Sequence, residues 1–241
     1  MLISIVVPAF NEEAYLGETL ASLNRARAFL LHERNIQTEI IVVDNDSDDL
    51  TSDVARALGA TVVTETQHNI AKVRNTGAKL SDGDVIVFVD ADTVVPDKLL
   101  SRIVDVMSDG MCLGGAVDTD YRPVKLMVKT YLRCWRILGT LTGMAQGATQ
   151  FFRREVFFTL EGYDETLFMA EDVDLYWRLQ SFAQRQNGGV VFIEDIRVIP
   201  STRRFDQWRL WRTLFWTNPL VILMFRRSKT FWQGWYGSAP R

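Results

Sequence analysis

The sequence predicts an α/β fold: a mostly parallel, doubly wound sheet with helices on both faces, followed by a C-terminal helical tail. Strand and helix patterns alternate three times before Asp84, which is typical of right-handed β-α-β units around a parallel sheet. The run 84–92, D-V-I-V-F-V-D-A-D, is apolar without alternation until it ends in two carboxylates. Such a run indicates a strand that is buried on both faces.

The first half of the chain supplies four predicted strands, at 2–7, 39–43, 60–64 and 84–89. The helices between them are expected from Asn11 to about 31, from about 50 to 58 and from about 70 to 80. Asn11 is a suitable N-cap, and Glu12 and Glu13 would then lie in the first turn, where the helix dipole favours acidic side chains. Gly77 predicts close packing of the third helix on the sheet.

The second half is predicted to continue with a helix after Pro96 and a strand at 111–117. A basic amphipathic helix at 124–141, a strand at 148–152, a turn at 162–164 and a helix from Glu171 follow. Short strands at 190–193 and 198–199 precede a helical tail that breaks at Pro219. We therefore predict one domain at 1–204, with halves 1–118 and 119–204, and a tail at 205–241.

Charge is unevenly distributed along the chain. The net charge is -3, but the segment from Arg203 onward has eight Lys or Arg residues and one acidic residue, which gives this segment +7 and the first 202 residues -10. A basic tail rich in tryptophan and phenylalanine favours contact with an anionic surface, lipid headgroups above all. A helix packed on the body and a dimer contact remain open alternatives.

The two cysteines, Cys112 and Cys134, are too few for a disulfide framework, which favours a reducing compartment. We recognise no signal peptide and no uninterrupted apolar stretch long enough for a membrane span. We therefore expect a cytoplasmic protein with no nucleic-acid partner. It would be peripheral at the inner face of the membrane if its tail is interfacial.

Acidic residues recur where predicted strands end: Glu12 after the first, Asp44 at the second, and Asp90 and Asp92 at the fourth. In extended chain, Asp90 and Asp92 would point to the same side. Ligands of open α/β sheets gather at this carboxyl edge, and paired carboxylates suit a hard divalent cation that carries phosphates. The alternative is an Asp-rich turn in which Asp92 caps the next helix.

The turn after the first strand excludes one common class of enzyme. P-A-F-N-E-E stands where a dinucleotide-binding dehydrogenase needs G-x-G-x-x-G. A nucleotidyltransferase that activates a sugar phosphate would need a Gly-rich basic loop at the same place, which this turn lacks. A non-catalytic nucleotide-binding scaffold of the same fold remains a further alternative.

Five motifs occur in a fixed order: V-V-P-A-F-N-E-E, I-I-V-V-D-N-D-S-D-D, V-R-N-T-G, D-V-I-V-F-V-D-A-D and A-E-D-V-D-L. This set resembles the family 2 glycosyltransferases, which have the GT-A fold, over roughly residues 2–180. The resemblance implies metal-dependent, inverting transfer of a sugar from a nucleoside diphosphate sugar, with a UDP-sugar favoured, to an unidentified acceptor hydroxyl.

The resemblance also implies which residues bind the nucleotide sugar. Asp44 would accept the N–H of the base, and the turn with Pro8, Phe10 and Glu12 would line the nucleotide pocket. Arg74 would lie beside the nucleotide. The alternatives are a turn aspartate for Asp44 and a solvent-facing helical arginine for Arg74.

For the metal, the resemblance implies Mg²⁺ or Mn²⁺ on Asp92, with Asp90 nearer the ribose or the metal. His32 and His68 both precede this motif, and neither is assigned to the metal.

For catalysis, the resemblance implies Asp172 as general base and Glu171 as its partner. At a helix start, the dipole would keep Asp172 ionised; an acidic helix cap is the alternative for both. Arg203 and Arg204 would reach the leaving diphosphate or an anionic acceptor, or they are the first charges of a membrane-facing tail.

Overall fold

The computed structural model describes residues 1–145 and 147–236 of the chain, without the side chains of 140 and 234–236. Its strands are β1 Leu2–Ala9, β2 Gln37–Asp44, β3 Thr61–Thr64, β4 Val85–Val89, β5 Thr93–Val94, β6 Cys112–Thr119, β7 Thr149–Arg153 and β8 Gly189–Pro200. Its helices are α1 Leu16–Arg34, α2 Thr51–Ala57, α3 Ile70–Leu80, α4 Leu99–Met107, α5 Leu126–Thr142, α6 Arg154–Thr159, α7 Glu171–Arg185, α8 Arg203–Gln207, α9 Leu210–Trp216, α10 Pro219–Phe225 and α11 Lys229–Tyr236.

The strands form one sheet in the order β3-β2-β1-β4-β7-β6-β8-β5. The strands β3, β2, β1 and β4 are parallel, and so are β6 and β8, whereas β7 is antiparallel to both neighbours and β5 is antiparallel to β8. The predicted mostly parallel α/β fold is confirmed. Because Ala9 pairs with Asp44 across β1 and β2, the chain segments that follow these strands meet at one edge of the sheet.

Each face of the sheet has its own apolar core. On β4, Val85, Val87 and Val89 belong to the core that α1 and α4 cover, whereas Ile86 and Phe88 belong to the core on the side of α3 and α7. All five residues of β4 are buried. The prediction of a strand buried on both faces, with helices on either side, is therefore confirmed.

Helix α1 begins at Leu16, so the prediction that Asn11 is its N-cap is wrong. Asn11 has a left-handed backbone with φ of 53°, which asparagine tolerates. Its side-chain Oδ1 accepts a hydrogen bond from the Asp48 backbone N–H at 2.8 Å, and its own N–H donates to Ser47 Oγ at 2.9 Å. Asn11 joins two loops at the edge of the sheet instead of capping the helix, and Glu12 and Glu13 lie ahead of the first turn.

The segment after β4 also differs from the prediction. Asp90 and Asp92 do not lie in extended chain, because the strand ends at Val89 and a turn follows, in which the Thr93 N–H donates to the Asp90 carbonyl at 3.1 Å. The turn leads into β5, which pairs with the end of β8. The N-cap of α4 is Lys98, so the alternative in which Asp92 caps that helix is excluded.

Strand β8 joins the two short strands that were predicted at 190–193 and 198–199. Its pairing with β6 shifts register between Val117 and Asp118. This irregularity lies opposite the polar residues between the two apolar runs. The sequence shows the polar stretch between the two predicted strands. It does not show the pairing with β6, by which the strand continues through this stretch.

Over residues 205–236 the tail consists of the end of α8 and the short helices α9, α10 and α11, and it breaks before Pro219, as predicted. Asn218 Oδ1 accepts the Leu220 N–H at 2.9 Å, which caps α10. The tail also contacts the body, since the Phe168 N–H donates to the Arg226 carbonyl at 2.7 Å. The division at residue 204 remains a prediction. Among the described helices, none is long and apolar enough to cross a membrane.

Gly77 lets α3 lie close to the sheet, as predicted. A Cβ at this position would be 2.4 Å from Val6 Cγ1 and 2.8 Å from Val43 Cγ2. We expect Gly77→Ala to lower the free energy of unfolding by about 1–3 kcal/mol, because both valines belong to a packed core. Urea unfolding followed by circular dichroism measures this change.

Gly17 in α1 is the matched control, because a Cβ there would have Val54 Cγ1 at 3.9 Å as its nearest neighbour. Gly17→Ala should leave stability unchanged or raise it by about 0.5–1 kcal/mol, the usual helix preference for alanine. Equal stability of the two variants would contradict the close-packing argument.

Candidate functional site

The site is built around the buried guanidinium of Arg74 on α3. Arg74 is 2% exposed, and it donates to Glu171 Oε1 at 2.7 Å and to Asp90 Oδ1 at 2.8 Å. The alternative of a solvent-facing helical arginine is thereby excluded. Because Asp90 follows β4 and Glu171 begins α7, one side chain connects three elements. The two carboxylates in turn raise the pKa of Arg74 against the opposing effect of burial.

Aromatic and amide groups hold this arrangement in place. The Tyr163 ring lies 5.2 Å from the Arg74 guanidinium carbon, and the Tyr163 hydroxyl donates to Gln150 Oε1 at 3.2 Å. Asn75 fixes the backbone of Tyr163, donating to its carbonyl and accepting from its N–H, both at 2.9 Å. The R-N pair of the third motif therefore shapes the site through both of its side chains.

Asp172 lies directly after Glu171, at the start of α7. Its Oδ1 accepts the Val173 N–H at 2.8 Å, and the Gly147 N–H also donates to its carboxylate. A Cβ on Gly147 would lie 2.5 Å from Asp172 Oδ2, so glycine is needed for this approach. Gln150 Nε2 donates to the Asp172 carbonyl at 3.1 Å.

Burial raises the pKa of Asp172, and Arg74 and the two N–H donors only partly offset it. The shift is opposite to the one that the helix dipole alone predicts. Burial and the neighbouring Asp172 also raise the pKa of Glu171, despite the ion pair with Arg74. Both carboxyl groups consequently hold protons more tightly than exposed ones do.

A second guanidinium, from Arg203 at the start of α8, lies between Glu12 and Asp92. It forms a short ion pair with Glu12 Oε1 and lies 3.4 Å from Asp92 Oδ2. Its other face covers the Tyr15 ring, with the guanidinium carbon 4.3 Å from the ring centre. Burial and the nearby Asp90 raise the pKa of Asp92 to about 7, although Arg203 lowers it.

The carboxylate oxygens here fit a hard divalent cation. Glu12 Oε2 is buried and has no hydrogen-bond partner among the described residues. Across residues 1–145 and 147–236, no three His, Cys, Asp or Glu side chains form a ready-made metal cage. Mg²⁺ and Mn²⁺ need no such cage where phosphates complete the coordination, since one or two carboxylates are then enough.

The edge at β1 and β2 is the predicted nucleotide end. Asp44 closes β2, and its carboxylate accepts from the Ser47 N–H at 3.2 Å and from Ser52 Oγ at 2.6 Å. These bonds also suit a turn aspartate, so both interpretations of Asp44 remain. Phe10 packs against His68, with ring centres 4.9 Å apart. Pro8 pairs with Val43 inside the sheet.

The structure adds Tyr121, which no motif indicated. Burial raises the pKa of its phenol, and Asp90, Asp92 and Asp172 lie near enough to raise it further. Its ring packs edge-on against Phe205, with centres 6.0 Å apart. The charges of all three carboxylates thus act on the Tyr121 phenol, although the sequence around Tyr121 carries no recognisable signal.

The predicted site residues therefore fall into three groups. Around Arg74 lie Asp90, Glu171 and Asp172, and around Arg203 lie Glu12 and Asp92. Arg204 lies next to this second group, and its guanidinium carbon is 6.0 Å from the Trp208 ring centre. Pro8, Phe10 and Asp44 form the third group at the β1–β2 edge. Gly147, Gln150, Tyr163 and Tyr121 contribute as well, and none of them is among the predicted site residues.

Comparisons with known proteins agree with this arrangement. The model of the family described as "Glycosyl transferase family 2" matches residues 4–160. An undecaprenyl-phosphate 4-deoxy-4-formamido-L-arabinose transferase of Klebsiella pneumoniae is 28% identical over 155 residues, which are 60% of this chain and 45% of that protein. The chain spans between 24% and 56% of the length of four curated relatives.

Solved structures show the same fold. A mannosyltransferase from Pyrobaculum calidifontis, in complex with GDP-Man and Mn²⁺, has a TM-score of 0.66 at 21% identity, and the match covers 87% of this chain and 59% of that one. The glucosyl-3-phosphoglycerate synthase of Mycobacterium tuberculosis, in complex with Mn²⁺, UDP and glucosyl-3-phosphoglycerate, has a TM-score of 0.61 at 20% identity, with 93% and 79% covered.

The family match covers more than half of the chain and includes the motifs that supply Asp44, Arg74, Asp90 and Asp92. The fold is that of GT-A glycosyltransferases. The chain belongs to glycosyltransferase family 2.

Proposed function

We propose that this protein transfers a sugar, with inversion, from a nucleoside diphosphate sugar to an acceptor hydroxyl, and that it depends on Mg²⁺ or Mn²⁺. The observation that carries the proposal is the Arg74 bridge, which fixes Asp90 and Glu171 and thereby brings Asp172 to the same place. Complexes of structural neighbours with Mn²⁺ and with GDP-Man or UDP support the donor class and the cation.

Asp172 is the proposed general base. It takes the proton of the acceptor hydroxyl as that oxygen forms a bond to the anomeric carbon. The bond from this carbon to the diphosphate oxygen breaks, and the electron pair leaves with the nucleoside diphosphate. Attack from the opposite face gives inversion in one step. A raised pKa makes an ionised Asp172 a stronger proton acceptor.

Glu171 acts in this proposal as a positioning residue. It is 6% exposed and bonded to Arg74, which keeps the first turn of α7 at the end of β4. The ion pair between Glu171 and Arg74 thereby also positions Asp172, which is the next residue of the helix.

Asp92, with Asp90, would hold the divalent cation, which when bound would offset the charge of the diphosphate. Arg203 now supplies positive charge at the same place, 3.4 Å from Asp92. We expect Arg203 to leave Asp92 when the donor and the cation bind, and to contact the departing diphosphate.

The nucleotide would lie over the β1–β2 edge, with Phe10 against its base and Asp44 accepting a ring N–H. A UDP-sugar is favoured. The two neighbours bind different nucleotides, a guanine one and a uracil one, so both are needed in a test.

Asp92→Asn is expected to weaken Mn²⁺-dependent binding of UDP or GDP at least tenfold, because a cation ligand is lost. Asp172→Asn should change this binding less than twofold while it slows sugar transfer about 10²–10⁴-fold, the usual contribution of a general base. Calorimetry gives the affinities, and a screen of nucleotide sugars for hydrolysis or transfer gives the rates.

Asp82→Asn is the matched control, because Asp82 is exposed near the other end of β4 and should change neither quantity. Unchanged Mn²⁺-dependent binding in Asp92→Asn would remove the metal role. If the wild-type chain binds nucleotide but neither hydrolyses nor transfers any sugar, the alternative of a non-catalytic nucleotide-binding scaffold would be supported instead.

Arg203→Gln should separate the two roles of this guanidinium. Without nucleotide, Mn²⁺ should bind severalfold more tightly, because Glu12 and Asp92 lose a competing cation. With UDP or GDP present, binding should weaken severalfold, because a diphosphate contact is lost. Electron paramagnetic resonance of free Mn²⁺ measures the first quantity and calorimetry the second.

Arg204→Gln is the matched control for these two affinities. Because Arg204 lies against Trp208, this variant should bind Mn²⁺ and nucleotide as the wild type does. An Arg203→Gln variant with both affinities unchanged would show that the pair with Asp92 has no part in donor binding.

We further propose that the tail contacts an anionic membrane surface. Trp211 is 64% exposed, and Leu220, Leu223 and Met224 on α10 are between 65% and 74% exposed. The segment from Arg203 onward carries +7, and exposed apolar side chains beside such positive charge are typical of a surface that contacts anionic lipid headgroups.

Replacement of Leu220, Leu223 and Met224 by Asn should abolish flotation with liposomes that contain phosphatidylserine, since apolar insertion is lost while the charge is kept. The control replaces three apolar residues of the body by Asn: Leu50, Leu80 and Met111. Their side chains are 51–60% exposed. Equal flotation of both variants would refute the tail contact, and a smaller mass in solution for the first would point to a dimer interface.

A further inference from the structure

A cavity of about 540 Å³ lies between α5, β6, α7 and β8. Tyr121 lines it, and the charges of Asp90, Asp92 and Asp172 act on the phenol of this residue. Val173, which directly follows Asp172, lines it as well. The cavity therefore adjoins the place where an acceptor has to approach the general base.

Three cations of α5 share one face of the helix and line this cavity: Lys129, Arg133 and Arg136. Their spacing of four and three residues places them on adjacent turns. Arg136 binds Asp118 Oδ2 at 2.6 Å. Arg197 of β8 binds the same oxygen at 2.8 Å, so the buried Asp118 has two basic partners.

Lys129 and Arg133 differ from Arg136 in one respect. Within residues 1–145 and 147–236, the side chain of neither makes a hydrogen bond or an ion pair. Of the other carboxylates at the cavity wall, Asp120 pairs with Arg122 at 2.8 Å, and Glu194 is exposed. Two cations thus face the cavity while one carboxylate there is left without a basic partner. This balance favours an anionic ligand.

Part of the remaining wall of the cavity is apolar. Leu132 and Trp135 of α5 and Phe192 of β8 line it. Beside the cationic row, the same helix exposes Leu126, Ile137 and Leu141 by 62–79%. An apolar chain attached to the anion would find contacts both inside the cavity and along the outside of α5.

Resting on the function proposed above, we propose that this cavity is the acceptor subsite and that the acceptor carries a phosphate group, which Lys129 and Arg133 bind. Phosphate suits these side chains because both donate charge-assisted hydrogen bonds. The group belongs either to a lipid-linked phosphate or to a soluble phosphate ester. These two sources share the headgroup chemistry and differ in the chain.

The test uses the full chain and three probes: decyl phosphate, decanol and glycerol 3-phosphate. Quenching of tryptophan fluorescence measures their affinities, since Trp135 lines the cavity. The double variant Lys129→Gln, Arg133→Gln should bind both phosphates at least tenfold more weakly, and binding of decanol should change less than twofold. The control is Lys98→Gln, Arg185→Gln, which removes the same charge from exposed positions at the N-cap of α4 and the end of α7 and should bind as the wild type does.

Tighter binding of decyl phosphate than of glycerol 3-phosphate supports a lipid-linked acceptor, and equal binding supports a soluble one. The inference is overturned if the double variant keeps wild-type affinity for both phosphates, or if the wild type binds neither of them while it still binds UDP or GDP with Mn²⁺. A wild type that binds no nucleotide with Mn²⁺ would refute the proposed function itself.

Discussion

The buried charge of Arg74 is the constraint on which the candidate site depends. A guanidinium that is 2% exposed would destabilise the fold by several kcal/mol if it lost a partner. Its two partners come from opposite halves of the chain, since Asp90 follows β4 and Glu171 begins α7. The half that supplies Asp90 and the half that supplies Glu171 must therefore pack together in one fixed arrangement. Because Asp172 follows Glu171, the same ion pair that stabilises the fold also places the proposed base.

The two aspartates of D-A-D are neutralised in different ways. Asp90 has a hydrogen bond of 2.8 Å to the buried Arg74, with Tyr163 against the guanidinium. Asp92 has only a 3.4 Å approach from Arg203, whose closer partner is Glu12. Asp90 is thus held by a buried arginine, whereas the counter-charge of Asp92 comes from α8, which follows the last strand. In the proposed function, this asymmetry makes Asp92 the carboxylate that exchanges its arginine for a cation.

Sequence patterns were sufficient for the parts of this molecule that depend on local order. The buried strand β4, the helix start at Glu171 and the close contact at Gly77 all follow from residue types in short windows. Three features do not. Asn11 has the residue type of a cap but bonds to Asp48 on another loop. The irregular β8 depends on pairing with β6, and Tyr121, which feels the charges of the site carboxylates, comes from a loop without a motif. Each needs a contact that is distant in sequence.

Helix α5 connects the proposed acceptor cavity with the proposed membrane-facing tail. Its cationic face lines the cavity, while the Tyr131 hydroxyl on another face makes a short hydrogen bond with Thr217 Oγ1 between α9 and α10. Lys125, just before the helix, donates to the Trp208 carbonyl at 3.0 Å. A displacement of the tail at a lipid surface would therefore act on α5 directly. Since Lys129 and Arg133 lie on that helix, a surface-bound tail and a phosphate-bearing acceptor would affect the same structural element.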